Sequence, residues 1–257
     1  MRAGLLAGLG LLLCLGASRA EERVGETARC PNTRMAPLVL PRVKAALRAN
    51  QEVTIVALGS SSTEGVRSSD IAHSYPALLQ AALGTALPAG HVAVLNRGVG
   101  GQDVTEMLQR IERDVLGVRP TMVIWQVGAN GAMRHMSPEL FKRLLTTGVQ
   151  RLREARVDVV LMDNQRAPAI LAVPESAKFD TAMSEVATAT GASLFDRGSL
   201  MDLWRAAGSP YEQFMSDDGV HHNDFGYRCV SQALAQAILD GVAPGLVSRA
   251  VADRTTK

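Results

Sequence analysis

Short apolar runs that alternate with helical patterns constrain the fold of this chain more than any other feature. The first run, residues 53–58, is apolar and rich in β-branched residues, as expected of a strand buried on both faces. Similar runs follow at residues 91–95, 121–127, 157–162 and 192–195. Helical patterns separate them, and one begins with the N-cap signal Ser137-Pro138-Glu139. The alternation predicts an α/β fold, a three-layer α/β/α sandwich around a five-stranded parallel sheet.

The first twenty residues are typical of a secretory signal peptide. Arg2 precedes an apolar stretch at residues 3–16, and the small residues Ser18 and Ala20 occupy the −3 and −1 positions of a cleavage site. A membrane anchor is the alternative, but the stretch is shorter than the ~20 apolar residues that a spanning helix needs. We therefore expect cleavage, no stable membrane insertion afterwards, and a secreted or periplasmic mature protein.

The net charge limits the classes of binding partner, and the length limits the number of domains. Loss of Arg2 and Arg19 with the signal peptide leaves 25 basic residues against 25 acidic ones. This balance argues against binding to nucleic acid or to an anionic membrane surface. A chain of 257 residues fits one main domain. We expect a signal peptide at 1–20, a leader and helix at 21–50, the main domain at 51–243 and a tail at 244–257.

Cysteine usage also bears on the compartment. Without Cys14, which lies in the predicted signal peptide, Cys30 and Cys229 remain. Two cysteines in an exported chain predict a disulfide between the N-terminal segment and the last helix. Two buried free thiols are the alternative.

Polar and glycine-rich segments follow the first three predicted strands, where α/β folds collect functional residues. The block 59–65, Gly-Ser-Ser-Ser-Thr-Glu-Gly, could expose a nucleophilic hydroxyl or form a simple Ser-capped turn; without lysine it is no phosphate-binding loop. The block 96–101 carries three glycines whose N–H groups could bind an oxyanion, or could form an ordinary turn. In the block 128–131, Asn130 offers an amide donor, although Asn-Gly is also a common turn.

The loop before the last predicted helix pairs acidic residues with histidines. Asp218 stands three residues before His221, so its carboxylate can orient the imidazole as a general base. The adjacent His222 raises the alternative of a metal site. The other histidines, however, are scattered along the chain, and no ligand set of suitable spacing stands nearby. We therefore expect no metal and no cofactor.

Taken in order, these blocks resemble those of the SGNH hydrolases, also called GDSL esterases and lipases, over residues 53–238. The resemblance implies a flavodoxin-like fold and a catalytic triad of Ser61, His221 and Asp218. It implies an oxyanion hole formed by the N–H groups of Ser61 and Gly101 and the side chain of Asn130. Residues 51–243 would then form the hydrolase domain.

The sequence departs from the usual SGNH pattern at three positions. Ser60 replaces the aspartate before the nucleophile, Gln102 replaces an aspartate after the oxyanion glycine, and Gly131 replaces the aspartate after Asn130. None of these changes removes a group that the resemblance makes catalytic.

The resemblance implies a serine esterase that acts on a short-acyl ester, either a small molecule or an O-acetylated carbohydrate. An acyltransferase with the same triad and a non-catalytic glycan-binding protein are the alternatives. We expect the loops at 131–136 and 165–174 to border the cleft, with Arg134, Gln165 and Arg166 able to reach a polar substrate. Trp125 and Trp204 are expected in the core or the cleft wall. The sequence does not indicate an oligomeric state.

Overall fold

The computed structural model describes residues 29–87 and 90–242. The predicted signal peptide at 1–20 and the tail at 244–257 lie outside the described residues. The chain divides into two compact units, Met1–Cys30 and Pro31–Lys257, and the fold described below is that of the second. Across the described ranges, no helix combines the length and the apolar character needed to cross a membrane.

The second unit is built on one five-stranded sheet with the order β2-β1-β3-β4-β5, and every pair of neighbouring strands is parallel. The strands are β1 (Val53–Gly59), β2 (Val92–Gly98), β3 (Met122–Gln126), β4 (Asp158–Met162) and β5 (Ser193–Phe195). The predicted five-stranded parallel sheet is therefore confirmed. Because β1 lies between β2 and β3, the polar blocks that follow these three strands meet at one edge of the sheet.

Within the described residues, ten α-helices connect or flank the strands. They are α1 (Pro41–Arg48), α2 (Ser61–Glu64), α3 (Tyr75–Ala86), α4 (Val104–Asp114), α5 (Ala129–Met133), α6 (Pro138–Glu154), α7 (Pro168–Leu171), α8 (Ser176–Thr190), α9 (Arg197–Ala206) and α10 (Asp224–Val242). Their starts have ordinary physical causes. Ser137 caps α6 by accepting the Leu140 N–H, as predicted, and a capping box of Asp103 and Glu106 begins α4.

The two faces of the sheet are covered by different helices. Helices α4, α6 and α8 pack their apolar stripes on one face, in a cluster that includes Val123 and Trp125 of β3. On the other face α3 packs against α10, and α1 contacts β1 and β4. Trp125 fits because Gly148 of α6 has no side chain: a Cβ there would lie 2.3 Å from the indole ring. Trp125 and Trp204 are both buried, in agreement with their expected place in the core.

The sequence analysis did not predict the helices α2, α5, α7 and α9. The first three have only four or five residues, too few to show a helical period. One consequence concerns residues 131–136, which were expected to be a loop. The stretch instead begins inside α5, so Asn130 lies on a helical turn and not in an Asn-Gly turn.

Both cysteines of the described part, Cys30 and Cys229, are disulfide-bonded. The predicted disulfide is therefore present, and the alternative of free thiols is excluded.

Candidate active site

Ser61, His221 and Asp218 meet at the carboxyl edge of the sheet. Ser61 is the first residue of α2, directly after β1, and its Oγ lies 2.7 Å from His221 Nε2. His221 Nδ1 lies 2.6 Å from Asp218 Oδ2. An ionised carboxylate only accepts hydrogen bonds, so Nδ1 carries the proton. In the neutral imidazole Nε2 is then left to accept the Ser61 hydroxyl proton, as a general base requires.

The Asp218 carboxylate is held by several donors of its own loop. Its Oδ1 accepts the Ser216 hydroxyl at 2.7 Å and the N–H groups of Val220 and His221 at 2.9 Å. Partial burial alone would raise the pKa of Asp218. The hydrogen bonds from the backbone and ring of His221, and from Ser216 and Val220, outweigh it and hold the pKa well below its usual range. The carboxylate is therefore ionised at any ordinary working pH.

The three residues predicted to donate to an oxyanion follow β1, β2 and β3 and so lie at this same carboxyl edge of the sheet. Gly101 has a left-handed backbone with φ of 78°, which a glycine adopts without strain. Neither its N–H nor that of Ser61 donates to a backbone acceptor among the described residues. Asn130 Nδ2 donates one hydrogen to the Gln102 carbonyl at 2.8 Å. Because an amide nitrogen carries two hydrogens, the second one is available to a ligand.

Gln126, at the end of β3, organises the nucleophile turn and was missed by sequence reasoning. Its Oε1 accepts three hydrogen bonds: from the Ser60 N–H at 3.0 Å, from the Ser60 hydroxyl at 3.2 Å and from the Thr63 hydroxyl at 3.1 Å. Ser60, which stands where the family pattern has aspartate, therefore binds a neutral amide of β3. A polar residue inside an otherwise apolar strand was the available signal, since buried polar groups need partners.

Arg110 of α4 organises the glycine-rich turn after β2. Although its side chain is buried, the guanidinium donates to the Arg97 carbonyl at 2.9 Å and to the Gly59 carbonyl at 3.0 Å. It also donates to Gln102 Oε1 at 2.6 Å. Gln102, which replaces the usual aspartate, thus links α4 to the turn through its side chain. Its backbone carbonyl accepts the hydrogen bond from the Asn130 amide.

Gln165 is buried and does not reach solvent, contrary to the expectation that it could contact a substrate. Its Nε2 donates to the Val220 carbonyl at 2.8 Å and to Ser62 Oγ at 3.3 Å. Its Oε1 accepts from Arg197, whose side chain is fully buried, at 2.6 Å. The amide thus joins the helix of the serine to the loop of the histidine.

The other two residues that were expected to reach a substrate, Arg134 and Arg166, both form ion pairs. Arg166 pairs with Asp180 at 2.8 Å and with Asp202 at 3.0 Å. Arg134 is half-exposed and pairs with Asp103 and Glu106, the N-terminal cap of α4. Only Arg134 therefore keeps an exposed face near the glycine-rich turn.

His222 does not take part in the candidate site. Its ring is buried, and Nδ1 donates to the Phe214 carbonyl at 3.0 Å. Burial is the main reason that the pKa of His222 falls to about 3, so the ring is neutral. In the ranges that the structure covers, no three histidine, cysteine, aspartate or glutamate side chains stand together as metal ligands.

A separate cleft lies elsewhere and has a different character. With a volume of about 490 Å³, it runs between residues 36–39 and the segment from α8 to β5. Its lining is mostly apolar and includes the hydroxyls of Ser184 and Ser193, but no histidine or acidic residue that could activate them. The chemistry therefore places the candidate active site at Ser61 and not in this cleft.

In this parallel sheet the serine contacts the histidine, and the histidine contacts the aspartate. This arrangement is typical of serine hydrolases. The chain belongs to the non-GDSL lipase-like family, whose model matches residues 27–244. This confirms the resemblance to SGNH hydrolases and places the chain among the ester hydrolases. A comparison with curated proteins finds no sequence relative.

Several solved structures share the fold at low sequence identity. A lipase/acylhydrolase from Enterococcus faecalis is 22% identical with a TM-score of 0.63, over 74% of this chain and 96% of that one. A catalytic mutant of an acetylxylan esterase from Geobacillus stearothermophilus is 17% identical with a TM-score of 0.62, over 75% and 95%. A two-domain esterase active on acetylated mannans is 22% identical with a TM-score of 0.66, over 80% of this chain and 55% of that one.

Proposed function

We propose that the chain is an exported serine esterase that hydrolyses short-acyl esters, with O-acetylated carbohydrate as its substrate class. The observation that carries the proposal is the continuous hydrogen-bonded path from Ser61 Oγ through the His221 ring to the Asp218 carboxylate. A glycan-binding protein would have no need of this path. The disulfide at Cys30 and Cys229 supports export, because disulfides persist in oxidising compartments.

The proposed reaction begins with acyl transfer to the enzyme. Ser61 Oγ attacks the ester carbonyl carbon while His221 Nε2 takes the hydroxyl proton. The N–H groups of Ser61 and Gly101 and the amide of Asn130 donate to the oxyanion that develops. His221 then gives its proton to the departing alcohol oxygen, which leaves an acyl-Ser61 ester.

Water completes the cycle on the same residues. His221 removes a proton from the water as it attacks the acyl carbon, and returns the proton to Ser61 Oγ as the acid departs. Asp218 stays ionised throughout because its loop donors hold its pKa low, and it stabilises the imidazolium that forms at each step. An acceptor hydroxyl in place of water would make the product a transferred ester.

The proposed substrate class has two supports. Some proteins with the same fold are named as esterases of acetylated xylan or mannan. In addition, Gly100 and Gly101 are exposed, so a bulky alcohol part such as a glycan chain can approach Ser61 from solvent. The predicted division into a leader at 21–50 and a hydrolase domain at 51–243 is part of the same proposal.

The test is the hydrolysis of p-nitrophenyl acetate and the release of acetate from acetylated xylan by the purified mature protein. We expect Ser61→Ala to lower kcat by at least ~10⁴-fold, because the nucleophile is lost while the fold keeps its packing. The matched control is Ser184→Ala, which removes an exposed hydroxyl from the separate cleft at residues 36–39 and should leave turnover unchanged.

A fluorophosphonate probe that reacts with activated serines should label the wild type at Ser61 and fail to label Ser61→Ala. Full activity in Ser61→Ala would overturn the assignment, and loss of activity in Ser184→Ala would move the site to the other cleft. Assays with an added sugar acceptor would reveal an acyltransferase by the ester that it forms.

A further inference from the structure

The loop between α2 and α3 reaches the far side of the triad through Arg67. Arg67 Nε lies 3.1 Å from Asp218 Oδ2, the same oxygen that holds His221 Nδ1. Its Nη1 lies 3.6 Å from Asp217 Oδ1. Neither the charge pattern nor the family resemblance pointed to Arg67, because it stands alone in an irregular loop.

The backbone at Arg67 is unusual, and its neighbours hold it in place. Arg67 has φ of 70°, a left-handed conformation that is uncommon for a residue with a Cβ. On one side, the Val66 carbonyl accepts the Tyr227 hydroxyl at 2.7 Å. On the other, the N–H and Oγ of Ser69 bind Asp224 at 2.8 and 2.5 Å. Left-handed residues of this kind persist where the surroundings over-determine them, and here the start of α10 does so.

The Asp218 carboxylate does not need Arg67 to complete its hydrogen bonding. Ser216, Val220 and His221 already supply two N–H groups, a hydroxyl and the ring N–H. What Arg67 adds is positive charge beside the oxygen that faces the imidazole. That charge weakens the pull of the carboxylate on a proton at His221, because a cation near an anion lowers its attraction for a second cation.

Other charged and titratable groups around the pair come from three segments: the loop of the triad, the start of α10, and the short helix Ile71–His73, where His73 Nδ1 lies 3.2 Å from Asp224 Oδ2. Asp217 lies on the loop of the triad, and Asp224 and Tyr227 lie at the start of α10. His222, next to His221, is buried and neutral, and its pKa is lowered chiefly by burial. Arg67 is the only one of these groups that brings a positive charge to Asp218.

We infer that Arg67 is a positioning residue that places a positive charge beside the Asp218 carboxylate and so sets the lower pH limit at which the triad works. The inference rests on the proposed esterase function. Arg67 does not touch the reacting atoms, and it acts through Asp218 on the protonation of His221.

The decisive variant is Arg67→Gln, which removes the charge and keeps a hydrogen-bond donor. The acid limb of the kcat/KM profile for p-nitrophenyl acetate should move to higher pH by about half a unit, since an unneutralised carboxylate holds the imidazolium more strongly. The half-exposed guanidinium is screened by salt, so the shift should shrink as ionic strength rises. KM should stay within about twofold of the wild type, because Arg67 makes no substrate contact in this scheme.

Two further variants separate charge from structure. Arg67→Lys keeps the cation and should restore the wild-type profile. Arg119→Gln is the matched control: Arg119 is an exposed arginine with φ of 48° that precedes β3, away from the site, and the same substitution there should leave the profile unchanged.

NMR titration of the His221 ring in wild type and Arg67→Gln gives a readout that needs no turnover. A midpoint that moves upward in Arg67→Gln supports the inference even if no tested ester is hydrolysed, a failure that would count against the proposed function alone. An unmoved NMR midpoint and an unmoved acid limb would overturn the inference. A raised KM with an unmoved limb would also overturn it, since Arg67 would then be a substrate-binding residue.

Discussion

Asn130 has one structural contact and, in the proposed mechanism, a second role in the chemistry. One amide hydrogen is committed to the Gln102 carbonyl, and the other points to no protein acceptor among the described residues. In the proposed mechanism this second hydrogen binds the oxyanion, which exists only during the reaction. Its contribution should therefore appear in kcat and not in KM.

We predict that Asn130→Ala lowers kcat for p-nitrophenyl acetate by ~10²–10³-fold with little change in KM, as for the loss of a single oxyanion donor. Circular dichroism and thermal unfolding should show that the fold remains. A kcat within threefold of the wild type would contradict the prediction and show that Asn130 is not an oxyanion donor.

At the same scale, the sequence revealed some site residues and hid others for a physical reason. The spacing of Asp218 and His221 is local, and the family pattern selected Ser61 from three adjacent serines. Arg67 and Gln126 act through contacts with residues far along the chain, at separations of 151 and up to 66 residues. Such contacts leave no local pattern in a single sequence.

Helix α2 and strand β2 lie so close together that Gly98, the last residue of β2, has no room for a side chain. A Cβ at Gly98 would lie 2.0 Å from the backbone nitrogen of Glu64 and 2.5 Å from its Cα. Gly98 ends the strand that leads into the oxyanion turn, and Glu64 ends the helix that begins with Ser61. The contact therefore sets the distance between the two halves of the proposed site.

We predict that Gly98→Ala destabilises the protein by about 1–3 kcal/mol through overpacking and lowers kcat at least tenfold by displacing α2. Gly84→Ala is the control, because Gly84 is in α3 with its nearest neighbour 3.8 Å from the added methyl. That variant should be as stable as the wild type or more so, since alanine favours the helix by about 1 kcal/mol. Equal stability and activity in both variants would show that α2 tolerates a shift.

The elements were predictable where their residues share a strong local preference. The strands β1, β3 and β4 are apolar, β-branched runs that are almost wholly buried, and α6 begins with a capping signal, so these elements were found. The short helices α2, α5 and α7 are formed instead by tertiary contacts. In α7, for example, the Ala169 N–H donates to the Gly219 carbonyl of the triad loop at 3.1 Å.

The whole molecule responds to pH through its buried groups, and His222 is the clearest case. Its folded pKa of about 3 lies below the ordinary value of 6.5, so the unfolded chain binds more protons between these two values. Stability from the neutral ring is fully present above pH 6.5 and is lost as the pH falls towards 3. Burial raises the pKa of Asp163, which gives the opposite slope at acidic pH.

We predict that His222→Asn flattens this acid dependence, because asparagine can still donate to the Phe214 carbonyl and does not titrate. The difference between the two proteins in the free energy of unfolding should change by up to ~1.4 kcal/mol per pH unit between pH 6 and pH 4. Urea unfolding at several pH values measures it directly. If the free energy of unfolding depends on pH in the same way in wild type and variant, His222 is not kept neutral. Asp163 is present in both proteins, so its effect cancels from the comparison.

Ser61 Oγ and His221 Nε2 are 2.7 Å apart, although 160 residues of sequence separate the two residues. During synthesis the ribosome therefore completes β1, α2 and most of the sheet before it makes the histidine. A growing or prematurely ended chain carries Ser61 without a partner to activate it. In the proposed mechanism the chain therefore has no activated serine until His221 has been made and the last helix has docked.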